Sequence, residues 1–358
     1  MATAFGKQYT KRELLAKVGD ISQLCGIKIS QLTEGTAAGT QIARAWTGAG
    51  LEFEINLGRG MGIGAFRYRG TPLAWVSATG EVNGAYYDAF EGQMDRSYYG
   101  GLMHMCGFRQ VGAPNVDQGE TLGMHGRASN LPAKNIYVDG EWSGDEYEIW
   151  AQGKVQEVSA LGENICMTRK VSAKLGESKI TIHDKIQNCA HTSTEFMILY
   201  HTNYGFPLLD EGTQLFLPSI NSVDSENGHP VKQAVYGQFS AAHQGAGQQI
   251  YFHQLAHQNG STGYVIYHPK LQGGLGLLVE FDQTHLPNII QWVDLEEGQN
   301  VLEVGPSNCK CFGRAAERAA GTLDFLEPGE IREFEISFTV LDGNDQIQHT
   351  IKALQGLL

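Results

Sequence analysis

Glycine divides most of this chain into short apolar or alternating runs. The 358 residues include 45 glycines, spread evenly along the chain. Glycine adopts positive φ angles at little steric cost, so this distribution supplies many tight turns and suits numerous short strands better than long helices. Between the glycines, apolar and polar residues tend to alternate, as they do in strands with one buried face. The runs expected to form strands are 27–32, 43–46, 52–57, 65–68, 73–76, 147–150, 164–171, 178–187, 195–200, 264–267, 275–281, 289–293, 300–304 and 331–340.

A short helix is expected before these runs. Residues 11–18 place Leu14, Leu15 and Val18 at helical spacing, and Gly19 follows as a stop signal. The rest of the chain has no repeat of fixed period and no linker rich in proline or serine, which predicts one large antiparallel β domain. The expected division is 1–35 for the N-terminal helix and extension, 36–342 for the β domain, and 343–358 for a C-terminal tail.

The composition narrows the class of partner. The chain has 26 Lys and Arg against 39 Asp and Glu, a formal net charge of −13. Phosphate backbones and anionic lipids repel such a chain, so nucleic acid and membrane surfaces are not expected as partners, whereas a neutral or polyhydroxylated small molecule suits it. No apolar run is long enough for a signal peptide or a transmembrane helix, which predicts a cytoplasmic protein.

Two local patterns carry little evidence for metal or phosphate. The six cysteines are expected to be reduced thiols, and the C-x-C pair Cys309 and Cys311 lacks the second cysteine pair or histidine cluster of a zinc site. The glycine-rich segment 56–63 lacks the lysine ending and the following helix of a phosphate-binding loop. It is expected to turn tightly and leave Arg59 as a cation that projects into a cleft.

One run that reads as a buried strand has a histidine in its middle. His201 is followed by Thr202 and Asn203 within an otherwise apolar and aromatic segment, 197–206. An imidazole buried without a hydrogen bond costs about 1–3 kcal/mol. His201 is therefore either satisfied by a neighbour in the core or exposed to a wet cleft.

A second segment, 122–133, favours the cleft. It holds His125 between two glycines, and Gly126 allows a ligand or another chain to approach the backbone closely. Arg127 follows with a rigid fork of donors suited to hydroxyl or carboxylate groups. His104 lies between Met103 and Met105, and this setting fits a core position and a cleft position equally well.

A carboxylate is the natural partner for these histidines. Glu303 lies among apolar neighbours in an expected strand, a setting that raises a carboxyl pKa unless a cation is near. Asp282 is the alternative. An enzyme that moves protons needs one group to take a proton and another to give one, and a histidine with a glutamate meets that need.

Four segments in this order and at these separations resemble the aldose 1-epimerases, or galactose mutarotase-like proteins, as an uncharacterised subfamily. They are GMHGRASNLPA, MILYHTNYGFPLL, LPNIIQW and VLEVGPSNC. The resemblance covers about residues 40–340 and implies an antiparallel β-supersandwich that binds a monosaccharide on its concave face. In that family a glutamate takes the proton of the anomeric hydroxyl and a histidine protonates the ring oxygen.

Carried onto this chain, the resemblance assigns roles to individual residues. It implies that His201 is the general acid, that His125 contacts the sugar near the ring oxygen, and that Arg59 hydrogen-bonds sugar hydroxyls. The subfamily reads Gly-Ile-Glu-Pro where this chain has Glu303-Val304-Gly305-Pro306, so the glutamate comes two residues early. Residues i and i+2 share a strand face, so Glu303 is retained as the base although its backbone is displaced by roughly 6–7 Å. The remaining substrate contacts are expected from Arg127, His104, Asn203, Asp282 and Trp292, with Tyr204 as another ring that could stack on the sugar.

The resemblance and this departure leave three functions open. The first is anomer interconversion of a free monosaccharide or derivative without a cofactor. The second is metal-assisted epimerisation or elimination of a keto-sugar, in which His104, His125 and His201 hold a divalent metal. The third is a carbohydrate-binding protein that keeps the cleft without catalysis.

Overall fold

Two large antiparallel sheets form most of the molecule in the computed structural model, which describes residues 1–90 and 92–358. This confirms the predicted all-β supersandwich. The first twelve strands are β1 (Ala2–Ala4), β2 (Lys7–Tyr9), β3 (Gly26–Gln31), β4 (Gln41–Trp46), β5 (Leu51–Asn56), β6 (Gly62–Tyr68), β7 (Thr71–Pro72), β8 (Met103–Phe108), β9 (Asn115–Asp117), β10 (Glu120–Leu122), β11 (Lys134–Ser143) and β12 (Glu146–Val158). The others are β13 (Asn164–Lys174), β14 (Lys179–Asn188), β15 (Thr194–Tyr204), β16 (Gln214–Phe216), β17 (Ser219–Asp224), β18 (Gln248–Leu255), β19 (Ser261–His268), β20 (Leu275–Asp282), β21 (Asn288–Asp294), β22 (Val301–Ser307), β23 (Asp324–Leu326) and β24 (Ile331–Asp342).

The smaller of the two sheets has eight strands and the larger has twelve. The eight-stranded sheet has the order β11-β12-β13-β14-β24-β20-β19-β16. The twelve-stranded sheet has the order β17-β18-β21-β22-β15-β8-β6-β5-β4-β3, with β23 paired to β15 and β7 paired to β6. Strands β21, β22, β15 and β8 are therefore neighbours in the middle of the larger sheet, although they are far apart in sequence.

The hydrophobic core lies between the two sheets. In β13 every second residue is buried, as expected for a strand with one face on the core and one toward solvent. Strand β15 is buried on both faces. Its Ile198 and Tyr200 pack in the main core, whereas Leu199 belongs to a separate apolar cluster on the opposite face. The polar residues His201 and Asn203 share the face of Leu199 because they lie two and four residues after it.

Short helices flank the sheets. Helix α1 (Lys11–Leu15) begins with a capping box in which Thr10 and Glu13 satisfy each other's backbone amides, and it ends three residues before the predicted limit. The others are α2 (Gln233–Tyr236), α3 (Arg314–Ala320) and α4 (Asn344–Gln355), with 3-10 turns at Ile21–Gln23, Gly35–Ala37, Gly84–Tyr86, Gln93–Arg96, Ala128–Asn130 and Leu271–Gly273. None of the helices within residues 1–90 and 92–358 has the length and apolarity needed to span a membrane.

Several segments differ from the sequence expectation. Strands β8, β11, β17 and β18 lie outside the runs expected to form strands. Residues 343–358, expected as a tail, contain α4, whose Ile347 and Ile351 pack against Val265 of the smaller sheet. Residues 73–76, expected as a strand, form only isolated bridges, from Ala74 to Tyr204 and from Val76 to Gly100. Trp75, which lies between these two bridges, packs in an apolar cluster with Met94, Tyr98 and Val301.

Candidate active site

Four neighbouring strands of the larger sheet bring candidate residues onto one face. His201 of β15 lies directly opposite His104 of β8. Asn203 lies opposite Glu303 of β22, and Glu303 lies opposite Trp292 of β21. Directly opposed residues in an antiparallel sheet project to the same side, with Cβ atoms about 4.5–5.5 Å apart. The sheet thus assembles five of the predicted site residues on the face opposite the main core.

His125 reaches this face from a loop. Its backbone is held in the left-handed region, with φ of 56°, and Gly126 follows with φ of 71°. Its amide donates to Gly112 O at 3.0 Å and its carbonyl accepts from Gly107 N at 3.0 Å. These bonds place the His125 ring 5.4 Å from the His201 ring, at an interplanar angle of 89°. Two histidines 76 positions apart in sequence therefore meet in one site.

Asn203 and Tyr98 fix the orientation of His201. The Nδ1 atom of His201 lies 2.8 Å from Asn203 Oδ1 and 3.1 Å from the Tyr98 hydroxyl, which donates to the same Oδ1 at 2.8 Å. The Asn203 amide nitrogen donates to Gly101 O at 2.9 Å. Since an amide oxygen only accepts, Nδ1 of His201 carries the proton. In the neutral imidazole, Nε2 is then left with a lone pair that accepts a proton.

The histidines are neutral at neutral pH. Burial, followed by the proximity of His125, lowers the pKa of His201 to about 3. Burial lowers the pKa of His125 to about 4. His104 is also buried, and its Nε2 atom has no hydrogen-bond partner among the described residues. Burial, and secondarily the charge of Arg59, moves the pKa of His104 well below its usual value.

Glu303 is the carboxyl of this face. It is 1% exposed, and within residues 1–90 and 92–358 neither carboxyl oxygen has a hydrogen-bond partner. Burial raises the pKa of Glu303 well above its usual value, against a smaller opposing effect of the Trp292 backbone, and so favours the protonated form of the carboxyl. Although its backbone is two residues from Gly305, its Oε1 atom occupies the place that a Cβ atom on Gly305 would take. The Glu303 side chain therefore extends along the strand toward Gly305, which offsets the displacement of its backbone.

Aromatic side chains cover the site. Trp75, Tyr98 and Trp292 belong to one apolar cluster above this face. The Trp75 ring lies 6.0 Å from the Tyr98 ring, and the Trp292 ring lies 6.3 Å from the His201 ring. Trp75 is tied to the loop before β22 because its indole nitrogen donates to Gln299 O at 2.6 Å. As a result, His201 is only 6% exposed.

Arg59 is not placed with these residues. Its guanidinium is buried and donates to Val82 O at 2.7 Å, Ser97 O at 2.9 Å, Ser129 O at 3.3 Å and Asn130 Oδ1 at 2.5 Å. All three nitrogens are thus bonded to protein acceptors, and the cation projects into the protein instead of into the cleft. Arg59 joins three loops, one of which leads directly into Tyr98.

Two other predicted residues lie apart from the assembled face. Asp282 ends β20 in the smaller sheet, where it is exposed and accepts a hydrogen bond from Thr284 N at 2.8 Å. Arg127 is exposed at the start of the turn Ala128–Asn130, beside Gly126, whose carbonyl accepts from the Tyr87 hydroxyl at 2.8 Å. Arg127 is therefore placed near the loop of His125, whereas Asp282 belongs to the other sheet.

Sequence reasoning missed Tyr98 and Trp75. Tyr98 precedes Tyr99 and two glycines with positive φ in the segment that leads to His104, and Trp75 lies in a run that looked like a strand. The pair of tyrosines before two glycines was the available signal for Tyr98. Trp75 gave no comparable signal, because an aromatic residue in an apolar run is typical of strands.

The described part of the chain contains no group of three His, Cys, Asp or Glu side chains arranged to hold one metal ion. Nδ1 of His201 is already hydrogen-bonded to Asn203 Oδ1, and His125 Nδ1 accepts from Gly112 N at 3.2 Å. These bonds engage Nδ1 of His201 and His125 and leave the Nε2 atoms of both rings free of them. All six cysteines are free thiols, including Cys309 and Cys311.

Comparison with known proteins supports the fold assignment. A family model described as "Domain of unknown function (DUF4432)" matches residues 37–340. A search of curated proteins gives no significant match. Among solved structures, one described as a putative aldose 1-epimerase from Klebsiella pneumoniae superposes with a TM-score of 0.86 at 22% identity, covering 98% of this chain and 91% of that one.

More distant structures show the same architecture. A galactose mutarotase-like protein from Clostridium acetobutylicum has a TM-score of 0.58 at 10% identity and covers 89% of this chain and 99% of its own. A galactose 1-epimerase from Lactobacillus acidophilus has a TM-score of 0.58 at 9% identity, covering 89% of this chain and 100% of its own. At these identities the similarity establishes the galactose mutarotase-like fold.

Proposed function

This chain belongs to the family described as Domain of unknown function (DUF4432), and we propose that it is an isomerase of the aldose 1-epimerase type. It interconverts the anomers of a free monosaccharide or a close derivative, with a neutral sugar as its partner and the cytoplasm as its location. One observation carries the proposal. A buried carboxyl without a described protein partner, Glu303, lies on the same face as His201, whose Nε2 is left to exchange a proton.

A sugar supplies the hydrogen bonds that this carboxyl lacks. A buried polar group without a partner costs about 1–3 kcal/mol, so a ligand hydroxyl that donates to Glu303 recovers that free energy on binding. The ring of Trp292, which is partly exposed beside the cluster of Trp75 and Tyr98, offers apolar surface to the C–H face of the same sugar. His104 Nε2, which also lacks a described partner, is a further site for a sugar hydroxyl.

The reaction moves one proton at each of two oxygens. In ring opening, the Glu303 carboxylate takes the proton of the anomeric hydroxyl while His201 gives a proton from Nε2 to the ring oxygen. The bond between C1 and the ring oxygen breaks, and the C1 carbonyl forms. Rotation about the C1–C2 bond, followed by the reverse proton transfers, closes the ring as the other anomer. His125, in edge contact with His201, lies beside the ring oxygen in this arrangement.

The resting protonation state matches one half of this cycle. Glu303 and His201 share one exchangeable proton, and burial favours the carboxyl over the imidazole as its site. That is the arrangement left by ring opening, so closure of the open-chain aldehyde begins directly from the resting state. Opening begins when this proton has moved to His201 Nε2, and a sugar hydroxyl that donates to the carboxylate favours the transfer.

The test is anomerisation of freshly dissolved α-sugars, followed by polarimetry or proton NMR over a panel of neutral aldoses. We expect His201→Ala and Glu303→Gln each to lower kcat by about 10²-fold or more. Two matched controls should keep the wild-type rate. His253→Ala removes another buried histidine, with a pKa lowered by burial to about 4 and ring nitrogens bonded to Ser222 and Gln291. Glu157→Gln removes another buried carboxyl, with a pKa raised by burial to about 7.

Other results would point elsewhere. Equal rates for the wild type and His201→Ala across the panel would contradict the proposal. Sugar binding without turnover would indicate a carbohydrate-binding protein. Stoichiometric metal in the purified protein, with activity that a chelator abolishes, would indicate the metal-assisted chemistry instead.

A further inference from the structure

We propose that Gly305 is the positioning residue for the Glu303 carboxyl, because its missing side chain opens the space in which that carboxyl lies beside His201. The importance of this position for the reaction rests on the proposed function. The placement itself rests on the packing of β22 and is testable without any activity.

The backbone does not explain the glycine. Gly305 lies within the regular strand β22, and its φ is outside the positive range that requires glycine. Space does explain it. A Cβ atom at this position would overlap Glu303 Oε1 and would lie 2.5 Å from Leu199 Cδ1 and 2.7 Å from Tyr200 O. Such separations are shorter than van der Waals contact, so even a methyl group would displace its neighbours.

The register shows where this space lies. Strand β22 pairs with β15 so that Glu303 is opposite Asn203 and Ser307 is opposite Leu199. Gly305, midway between Glu303 and Ser307, is therefore opposite His201. His201 in turn is opposite His104 on β8. Because the Glu303 side chain extends over Gly305, its carboxyl lies level with His201 and His104 instead of level with Asn203.

Shape is what holds the carboxyl there. Neither of its oxygens makes a hydrogen bond of normal geometry with a described residue, and the backbone of Trp292 only partly opposes the rise in pKa that burial causes. Leu199 Cδ1 and the Tyr200 carbonyl border the space above Gly305. A side chain at position 305 would occupy that space and displace the carboxyl along the sheet toward Asn203. A displacement of about 1 Å is enough to lower a proton-transfer rate by about 10²-fold.

The experiment is a double-mutant cycle of Gly305→Ala and Glu303→Ala. In the wild-type background we expect Gly305→Ala to lower kcat by about 10²-fold, with a smaller change in KM. We also expect it to lower Tm less in the Glu303→Ala background than in the wild type, because the carboxyl that the new methyl group meets is gone. The contacts with Leu199 and Tyr200 remain in both backgrounds, so the Tm loss becomes smaller without vanishing.

Gly276→Ala is the matched control. Gly276 lies in β20 of the smaller sheet, and its added Cβ would meet Ile266 O at 2.7 Å and Tyr267 Cβ at 2.7 Å. It should lower Tm equally in both backgrounds and leave the kcat of the folded protein unchanged.

Two outcomes would overturn the inference: a wild-type kcat in Gly305→Ala, or a Tm loss from Gly305→Ala that is the same with and without Glu303. If the wild-type protein anomerises no neutral aldose, the proposed function fails on its own. The Tm cycle then still decides whether Gly305 makes room for the carboxyl.

Discussion

Asn203 accepts a hydrogen bond from Nδ1 of His201 at 2.8 Å, two residues away on the same face of one strand. The amide that makes this bond is itself fixed by the Gly101 carbonyl and the Tyr98 hydroxyl. The proton of His201 is therefore assigned to Nδ1 by its neighbours, and Nε2 is the atom that exchanges a proton with a ligand.

Replacement of this amide tests the clamp. We expect Asn203→Ala to lower kcat by about 10²-fold, because the imidazole is no longer held in one orientation. Asn203→Asp should instead keep the orientation and raise the pKa of His201, because a carboxylate stabilises the imidazolium. The measurement is the pH profile of kcat, combined with NMR titration of the His201 ring. An unchanged His201 titration in Asn203→Asp would show that the amide does not contact Nδ1.

Tyr98→Phe removes one hydroxyl from the same network. Asn203 Oδ1 keeps its bond from His201, so we expect a loss of about 1 kcal/mol in the free energy of unfolding and a smaller drop in kcat than for Asn203→Ala. Denaturant unfolding and the anomerisation assay measure the two effects. Tyr137→Phe is the control, since the hydroxyl of Tyr137 bonds Asp139 on an exposed surface. A kcat loss larger than that of Asn203→Ala would mean that Tyr98 itself contacts the sugar.

The buried histidines predict an acid-sensitive stability. The pKa of His201 is lowered from 6.5 to about 3 on folding, so the unfolded state binds a proton at pH values where the folded state does not. This contribution to stability is present above pH 6.5 and is lost as the pH falls toward 3. Relative to His201→Gln, the wild type should lose about 2 kcal/mol in the free energy of unfolding between pH 7.5 and pH 5. Parallel pH curves for the two proteins would contradict the assigned burial.

The buried carboxyl of Glu303 predicts a pH dependence of stability that is opposite to that of His201. Its pKa is raised on folding, so its contribution to stability is fully present below its unfolded value and is lost as the pH rises through its folded value. Relative to Glu303→Gln, the wild type should therefore become less stable as the pH increases above about 4.5. Urea unfolding of both proteins at several pH values measures this difference. A variant that shows the wild-type slope would indicate that the carboxyl is ionised and paired.

Substitution of Arg59 and of Arg127 compares the stability contribution of a buried arginine with that of an exposed one. Arg59→Met leaves several buried carbonyl acceptors unpaired, and we expect it to lower the free energy of unfolding by about 3 kcal/mol or more. Arg127→Met, at an exposed position, should change it by less than about 0.5 kcal/mol. Thermal and denaturant unfolding of the two variants give the comparison. Similar losses for both would contradict the buried network of Arg59.

Many of the strands were predictable from local patterns, although β11 and β18 lie outside every expected run. The alternation along β13 and the capping residues of α1 are visible in the sequence itself. The residues of the site depend on contacts between distant segments. Arg59 looked like a cleft cation, yet its acceptors are carbonyls of loops more than 20 residues away. A carbonyl carries no sequence signal, because every residue has one.

Glu303 illustrates the same limit in a different way. Position along a strand fixes the Cα atom, and the sequence places Glu303 two residues before Gly305. The side chain then spans that offset by bending over a glycine. Whether it bends depends on the contacts above residue 305, which only the folded sheet defines.

Strand β15 is buried on both faces, with Ile198 and Tyr200 in the main core and His201 and Asn203 in the site. Alternate residues of the second half of this strand therefore serve two different purposes, core packing on one face and proton transfer on the other. In a saturation library of residues 197–204, the effect of a substitution should depend on whether its residue number is even or odd. Even-numbered substitutions would mostly reduce protein yield, whereas substitutions of His201 and Asn203 would reduce turnover more than yield.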